Sequence, residues 1–153
     1  MDYDNIASGY DELYGEEQNK KAALILSHAK IKGKVLDVGC GSGKTSELFG
    51  DVIGIDPSIE LLKYAKIPVV QGMAEELPFK DGSFDWAVCL TAIHHTDHKK
   101  AILEMERVAA NIAITILKKS SKHEEILKEI MKRKPTVISE QKDTILLYST
   151  FAK

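Results

Sequence analysis

The chain has 153 residues, 44% of them hydrophobic, which is enough for one ordinary domain whose core needs neither disulfides nor a structural metal. Twenty-one basic residues against 23 acidic ones leave a net charge of −2, so the chain as a whole offers no electrostatic case for nucleic acid or an anionic membrane. No run approaches ~20 apolar residues, the acidic start Met1-Asp2-Tyr3-Asp4 is unlike a signal peptide, and Cys40 and Cys89 lack CxxC spacing, so a cytoplasmic protein with reduced thiols is expected.

Ala22, Ile25, Leu26 and Ala29 recur at helical spacing and predict a helix over 16–30, which Gly33 and Lys34 end before the strand Val35-Leu36-Asp37-Val38. A glycine-rich turn follows, then a short helix over 44–49, a strand over 51–55, a helix over 58–65 begun by Pro57, and a strand over 68–71. Residues 77–83 carry turn chemistry and 84–90 read as a buried strand. Ala101, Ile102, Met105, Val108 and Ala109 mark an amphipathic helix, 111–117 a fifth strand, and Ile126, Leu127, Ile130 and Met131 another helix. The last two strands, 136–139 and 144–151, are joined by only Glu140-Gln141-Lys142-Asp143. So short a link demands an antiparallel hairpin, because a parallel crossover needs a dozen residues or more. The alternation predicts a doubly wound α/β domain over 1–153, with helices on both faces of a mostly parallel sheet and residues 1–15 as an N-terminal cover.

The sharpest local feature is Val35-Leu36-Asp37-Val38-Gly39-Cys40-Gly41-Ser42-Gly43-Lys44-Thr45, a strand, a glycine turn and an expected helix start. Glycines let the backbone approach a ligand, and the helix end would add unpaired N–H groups. The dinucleotide fingerprint GxGxxG fails because Lys44 stands in place of its third glycine. The P-loop pattern fails because Val38 stands in place of its first. The spacing that fits is acidic-x-Gly-x-Gly-x-Gly, on Asp37, Gly39, Gly41 and Gly43. Asp56 follows 17 residues after Gly39, at the end of the second strand, where it can accept both hydroxyls of a ribose or simply cap the next helix.

The acidic glycine turn resembles motif I of class I S-adenosylmethionine-dependent methyltransferases. Gln71-Gly72-Met73-Ala74-Glu75-Glu76-Leu77-Pro78-Phe79, with Gly82-Ser83-Phe84-Asp85, is similar to a segment of their ubiquinone/menaquinone biosynthesis-like (type 11) branch. The likeness takes in 1–117, including Tyr3-Asp4-x-x-Ala7-x-x-Tyr10-Asp11. It implies a seven-stranded Rossmann-like sheet of order 3-2-1-4-5-7-6 with the last strand antiparallel, S-adenosylmethionine as cofactor and S-adenosylhomocysteine as product. By the same resemblance Asp37 and Gly39, Cys40, Gly41 and Gly43 would hold the methionyl end and Asp56 the ribose, beside Pro57. Met73 and Ala74 would border the adenine, Leu90 would line the site and Tyr10 would close over it. The family often has Asp at the position of Met73, so adenine selectivity here falls to backbone groups or Glu75. The usual Lys-Pro-Gly-Gly before strand five is replaced by Ala109-Ala110-Asn111.

Thr91-Ala92-Ile93-His94-His95-Thr96-Asp97-His98 comes straight after strand four, where the methyl group would point. His94 and His95 are therefore candidates for substrate contact or general base, against the plain reading of one packed and one solvated imidazole. His95, Asp97 and His98 match part of the HxHxDH metal pattern, but Ile93 occupies its first position, and no metal is expected. Ile93-His94-His95 also resembles the tRNA wobble-uridine methyltransferases, whereas the [N/D]PP[YF] of exocyclic-amine methyltransferases is absent.

Little sequence is left over to build a substrate pocket, so a small-molecule acceptor, or a protein partner or second copy completing the site, is expected. RNA is the less favoured acceptor. The basic run from Lys118 to Lys134 reads first as a solvated helix face, and 19 of the 21 basic residues are lysine, which disfavours bidentate phosphate recognition. A non-catalytic S-adenosylmethionine-binding subunit is the alternative of a different class.

Overall fold

The computed structural model describes the backbone of residues 3–150 and the side chains of 15–150. Seven runs rich in Val, Ile and Leu become strands: β1 (Val35–Val38), β2 (Val52–Asp56), β3 (Val69–Gln71), β4 (Phe84–Leu90), β5 (Ala109–Leu117), β6 (Thr136–Ser139) and β7 (Asp143–Ser149). They form one sheet of order β3-β2-β1-β4-β5-β7-β6. The first five are parallel, and β7 is antiparallel to both β5 and β6, as the short final link requires. The chain winds outward from β1 to β3 and then returns to place β4 on the other side of β1. The carboxyl edges of β1 and β4 therefore flank the switch point where a crevice opens.

Among the described residues four α-helices flank the sheet: α1 (Tyr3–His28), α2 (Ile59–Leu62), α3 (His98–Val108) and α4 (His123–Met131). Side-chain alternation divides the core in two. Val35, Val88, Leu90, Ala113 and Ile145 pack on Ala22 and Ile25 of α1. Leu36, Val38, Cys89, Ile112 and Ile114 pack on Ile102 and Met105 of α3 and on Ile126 and Ile130 of α4. Each fully buried aliphatic side chain of this kind stabilises the fold by about 1.5–3 kcal/mol relative to exposure. Asp97 caps α3 by accepting from Lys100 N, while Glu124 and Glu125 place negative charge in the first turn of α4.

The elements depart from the sequence expectations at four places. The first helix begins at Tyr3 rather than at 16, because Gly15 is tolerated inside a helix and no proline interrupts the run. The stretch after the glycine turn forms only a 3-10 turn, Ser46–Phe49. The helix expected over 58–65 is reduced to α2, capped by the Ser58 side chain accepting from Leu61 N at 3.3 Å. Helix α3 passes directly into β5, so Ala109 is a strand residue at φ −132 and ψ 148. Among the described residues no helix is long and apolar enough to cross a membrane.

Candidate functional site

A cavity of about 600 Å³ follows the carboxyl edges of the strands across the switch point. Asp56, Pro57, Met73 and Ala74 line its β2/β3 end, Gly39 and Leu90 its middle, and His94 and His95 the region beyond β4. Eight of the sequence candidates thus share one cleft. Asp37, Cys40, Gly41 and Gly43 lie off its wall, and the Tyr10 side chain lies outside the described residues.

The glycine turn owes its shape to contacts that only a bare backbone permits. Gly39 N and Cys40 N both donate to Ile55 O, at 2.8 and 3.1 Å. Gly39 has φ +77, and a Cβ there would stand 2.5 Å from the Ala92 Cβ. Gly41, at φ +56, donates its N–H to Asp56 Oδ2 at 3.0 Å, and Ser58 N donates to Asp56 Oδ1 at 2.8 Å. Asp56 therefore pins the turn and supports the start of α2. Each of its oxygens keeps a second lone pair for a ligand. Gly43 faces Ile67 instead of the cleft. With only a 3-10 turn after the glycines, no α-helix N-terminus is available to cradle a phosphate, which removes the physical basis of both phosphate-loop patterns.

Asp37 keeps the parity of Val35, so its carboxyl points beneath the turn into the α1 layer, where Ser46 Oγ donates to Oδ2 at 2.5 Å. Burial pushes it up to about 7 against the relief from Ser46, and the nearby Asp56 charge adds to the rise. Cys40 is packed so that a Cβ on Gly54 would lie 2.5 Å from its Sγ. Burial raises both thiols, Cys89 to about 12, so neither is a ready thiolate.

A polar cluster missed by motif reading closes the end of β4. Thr91 has φ +55, a strained value for a β-branched residue, and its N–H donates to Thr115 Oγ1 at 2.8 Å. Lys21 Nζ donates to Thr91 Oγ1 at 2.6 Å and pairs with Asp143 Oδ2 at 3.3 Å, although Lys21 is only 6% exposed. Gln18 Nε2 donates to Leu90 O at 3.2 Å. Gln18, Lys21 and Thr91 all line the cleft. The available signal was Lys21 directly beside the buried positions Ala22 and Ile25, where a solvated lysine has no room.

The His94 and His95 rings lie 4.0 Å apart between centroids. His94 Nδ1 is buried without a partner, so an imidazolium would leave one N–H unsatisfied. Burial, then the charges of His95, Lys122 and Lys21, lower its pKa in the same direction. His94 is thus a neutral ring near pH 7, with Nε2 the nitrogen left to meet a ligand. Glu75 lines the cleft but already accepts Asp97 N at 3.0 Å, which leaves it less free to read an adenine. Asp97 serves as the α3 cap, and among the described residues no group of three His, Cys, Asp or Glu side chains could hold a metal ion.

The sequence profile of a methyltransferase domain matches residues 36–117, the stretch from β1 through β5. An uncharacterised protein of Methanocaldococcus jannaschii, MJ1252, is 33% identical over 94% of this chain and 62% of its own. The demethylmenaquinone methyltransferase of Staphylococcus haemolyticus is 34% identical over 69% of this chain and 54% of its own. A solved Haloferax volcanii methyltransferase in complex with the Trm112 methyltransferase activator superposes with a TM-score of 0.66 at 21% identity, over 75% of this chain and 60% of that one. The chain spans 45–62% of the lengths of the first curated relatives it matches.

S-adenosylmethionine is the cofactor of such enzymes, and the cleft residues fit it. Asp56 offers two carboxylate acceptors of the kind a ribose diol needs, and the wall at Gly39 has no room for a side chain beside Ala92. The matched strands, the glycine turn with its second acidic residue and the sheet order all agree, and the chain belongs to the methyltransferase-domain family, in the type 11 branch of the class I S-adenosylmethionine-dependent methyltransferases.

Proposed function

We propose that the chain binds S-adenosylmethionine at the switch point and directs its methyl group to a small-molecule acceptor beyond β4, leaving S-adenosylhomocysteine. The observation that carries this reading is the single cleft joining Asp56 at one end to His94 and His95 at the other. The cofactor supplies a sulfonium methyl for in-line displacement, and alignment alone can lower such a barrier by about 7–11 kcal/mol. Asp56 accepts the ribose hydroxyls, Met73 and Ala74 border the adenine, and the backbone at Gly39 and Leu90 faces the methionyl end. Asp37 acts on that end through the turn above it. His94 contacts the acceptor through Nε2, and His95, exposed beside it, is the other candidate for substrate contact or general base.

Calorimetric titration with S-adenosylmethionine and S-adenosylhomocysteine, with NAD and Mg-ATP as controls, tests the reading. Micromolar binding of the adenosyl-sulfur pair alone supports it, and binding of ATP instead, or of neither pair member, removes it. Alanine at both His94 and His95 is expected to lower turnover across pH 6–9, and unchanged turnover would withdraw their role.

A partner that completes the pocket is a second element of the proposal, favoured by the Trm112-bound structural relative. A second copy of the chain is the other candidate for that place. Light scattering during turnover separates the cases, since an active monomer needs neither. A cofactor-binding subunit without activity of its own would bind S-adenosylhomocysteine yet turn over only in the presence of its partner.

A further inference from the structure

We infer that the acceptor is a small organic acid whose anionic group docks on Lys119 and Lys142, with Lys21 on the floor between them and His94. This rests on the methyltransferase reading and names the substrate class of the same site.

The cleft extends past β4 to the ends of β5 and β7, where Leu117, Lys119 and Lys142 join its lining. The two lysines belong to loops that are fastened together. Lys118 N donates to Lys142 O at 2.8 Å, and Lys118 Nζ donates to Ser139 Oγ at 2.7 Å and to Glu140 O. The turn after β5 and the β6–β7 hairpin therefore present one wall. Among the described residues Glu17 is the carboxylate lining this end, and Lys142 pairs with it at 2.5 Å. Lys21, Lys119 and Lys142 all line this part of the cleft, and Lys142 above all, with smaller pulls from Lys21 and Lys119, holds the Glu17 carboxyl below the usual range.

Valence and charge both favour an anion there. An ammonium has three donors, and Lys21 uses one on Thr91 and one on Asp143. Asp143 is absent from the cleft lining and, with Glu140, lines a smaller cavity on which Lys21 and Lys142 also border; burial raises its carboxyl against the pull of Lys21. Asp56 and Glu75 sit toward the opposite, β2/β3 end. A sulfonium held in the middle of the cleft, by Gly39 and Leu90, would add positive charge, so an amine acceptor would be repelled while an acid would be drawn in. The neutral ring of His94 is likewise suited to donate from Nε2 to an acceptor that arrives already ionised.

The test uses protein saturated with S-adenosylhomocysteine, titrated by calorimetry with 4-hydroxybenzoate, with its neutral amide 4-hydroxybenzamide and with a short single-stranded RNA of mixed sequence. The acid is expected to bind at least tenfold more tightly than the amide. The variant K119M/K142M should erase that preference while still binding S-adenosylhomocysteine, and K128M, on the exposed side of α4, should keep it. Equal affinity for acid and amide, no binding of either, or a preference that survives in K119M/K142M overturns the inference and leaves the cofactor reading standing. RNA binding that takes the place of the acid and weakens in K119M/K142M assigns the lysines to nucleic-acid phosphate and overturns the small acid. Failure to bind S-adenosylhomocysteine at all overturns both.

Discussion

Asp37 illustrates how one side chain can stand in a legible motif and yet lie off the cleft wall. Its strand parity turns it under the glycine turn, and burial pushes its carboxyl up to about 7 from the ordinary 3.8. The folded protein then holds a proton between those values that the unfolded chain has lost, so stability falls as pH rises through this window and levels off above it. Asp37→Asn keeps an acceptor for Ser46 and removes the titration. Its thermal midpoint should lose less than the wild type's between pH 5 and 7.5, and at pH 8 it should be the more stable protein, by at most about 4 kcal/mol. Parallel pH profiles would show that this carboxyl is ordinary. His94 makes the opposite case, because its cation is the disfavoured form. An NMR titration should place its midpoint below the usual 6.5, and a midpoint at or above that value would contradict the buried, unpartnered Nδ1.

At the scale of elements, the first helix carries a glycine that its packing does not need. A Cβ on Gly15 would meet nothing within 4 Å, so Gly15→Ala should stabilise the protein by about 0.5–1 kcal/mol in denaturant melts. A loss instead would mean that the helix is broken there. The basic run from Lys118 to Lys134, legible in the sequence only as a charged stretch, divides into three fates. Lys119 lines the cleft, Lys128 is solvated, and Arg133 turns inward to Glu106 at 2.8 Å and Glu129 at 2.5 Å. Tyr148 also donates to Glu106, at 2.9 Å, so this network ties α3, α4 and β7 together. Arg133→Met takes the guanidinium from a buried carboxylate and should cost about 3–5 kcal/mol, most of it recovered when Glu106→Leu is added. If the single variant unfolds within 1 kcal/mol of the wild type, the network is a surface feature. The helix missing after the glycine turn was not legible. Gly50, at φ +83, stops the run and Phe49 is drawn into the core, so the stretch closes as one 3-10 turn.

Over the whole molecule, the strands nearest the switch point are covered on both faces and the sheet edges are not. Strand β1 is buried throughout, while β6 exposes all but Ile138 of its four residues. Amide exchange should therefore be slowest in β1, β4 and β5 and fastest in β3 and β6, a gradient expected when opening energies follow burial. Protection of β6 equal to that of β4 would reveal a partner on that edge. The alternation of strands and helices, the antiparallel hairpin and the main motif were legible because each rests on local or near-local chemistry: alternating apolar runs, turn residues, and a final link too short for any other connection. The strand order followed from the family resemblance, and the sheet has it. Gly39 and Asp56, proposed to face the cofactor, were legible for the same reason as the motif, since each closes a strand, and both line the cleft. What only the tertiary structure decided is the far end of the cleft. Lys21, Thr91, Lys119 and Lys142 come from a helix, a strand end and two loops, and no spacing along the chain records that the β5 turn and the final hairpin are fastened beside α1. Sheet order brings them together, and burial then turns an ordinary helix lysine into a fixed charge facing the place where an acceptor would sit.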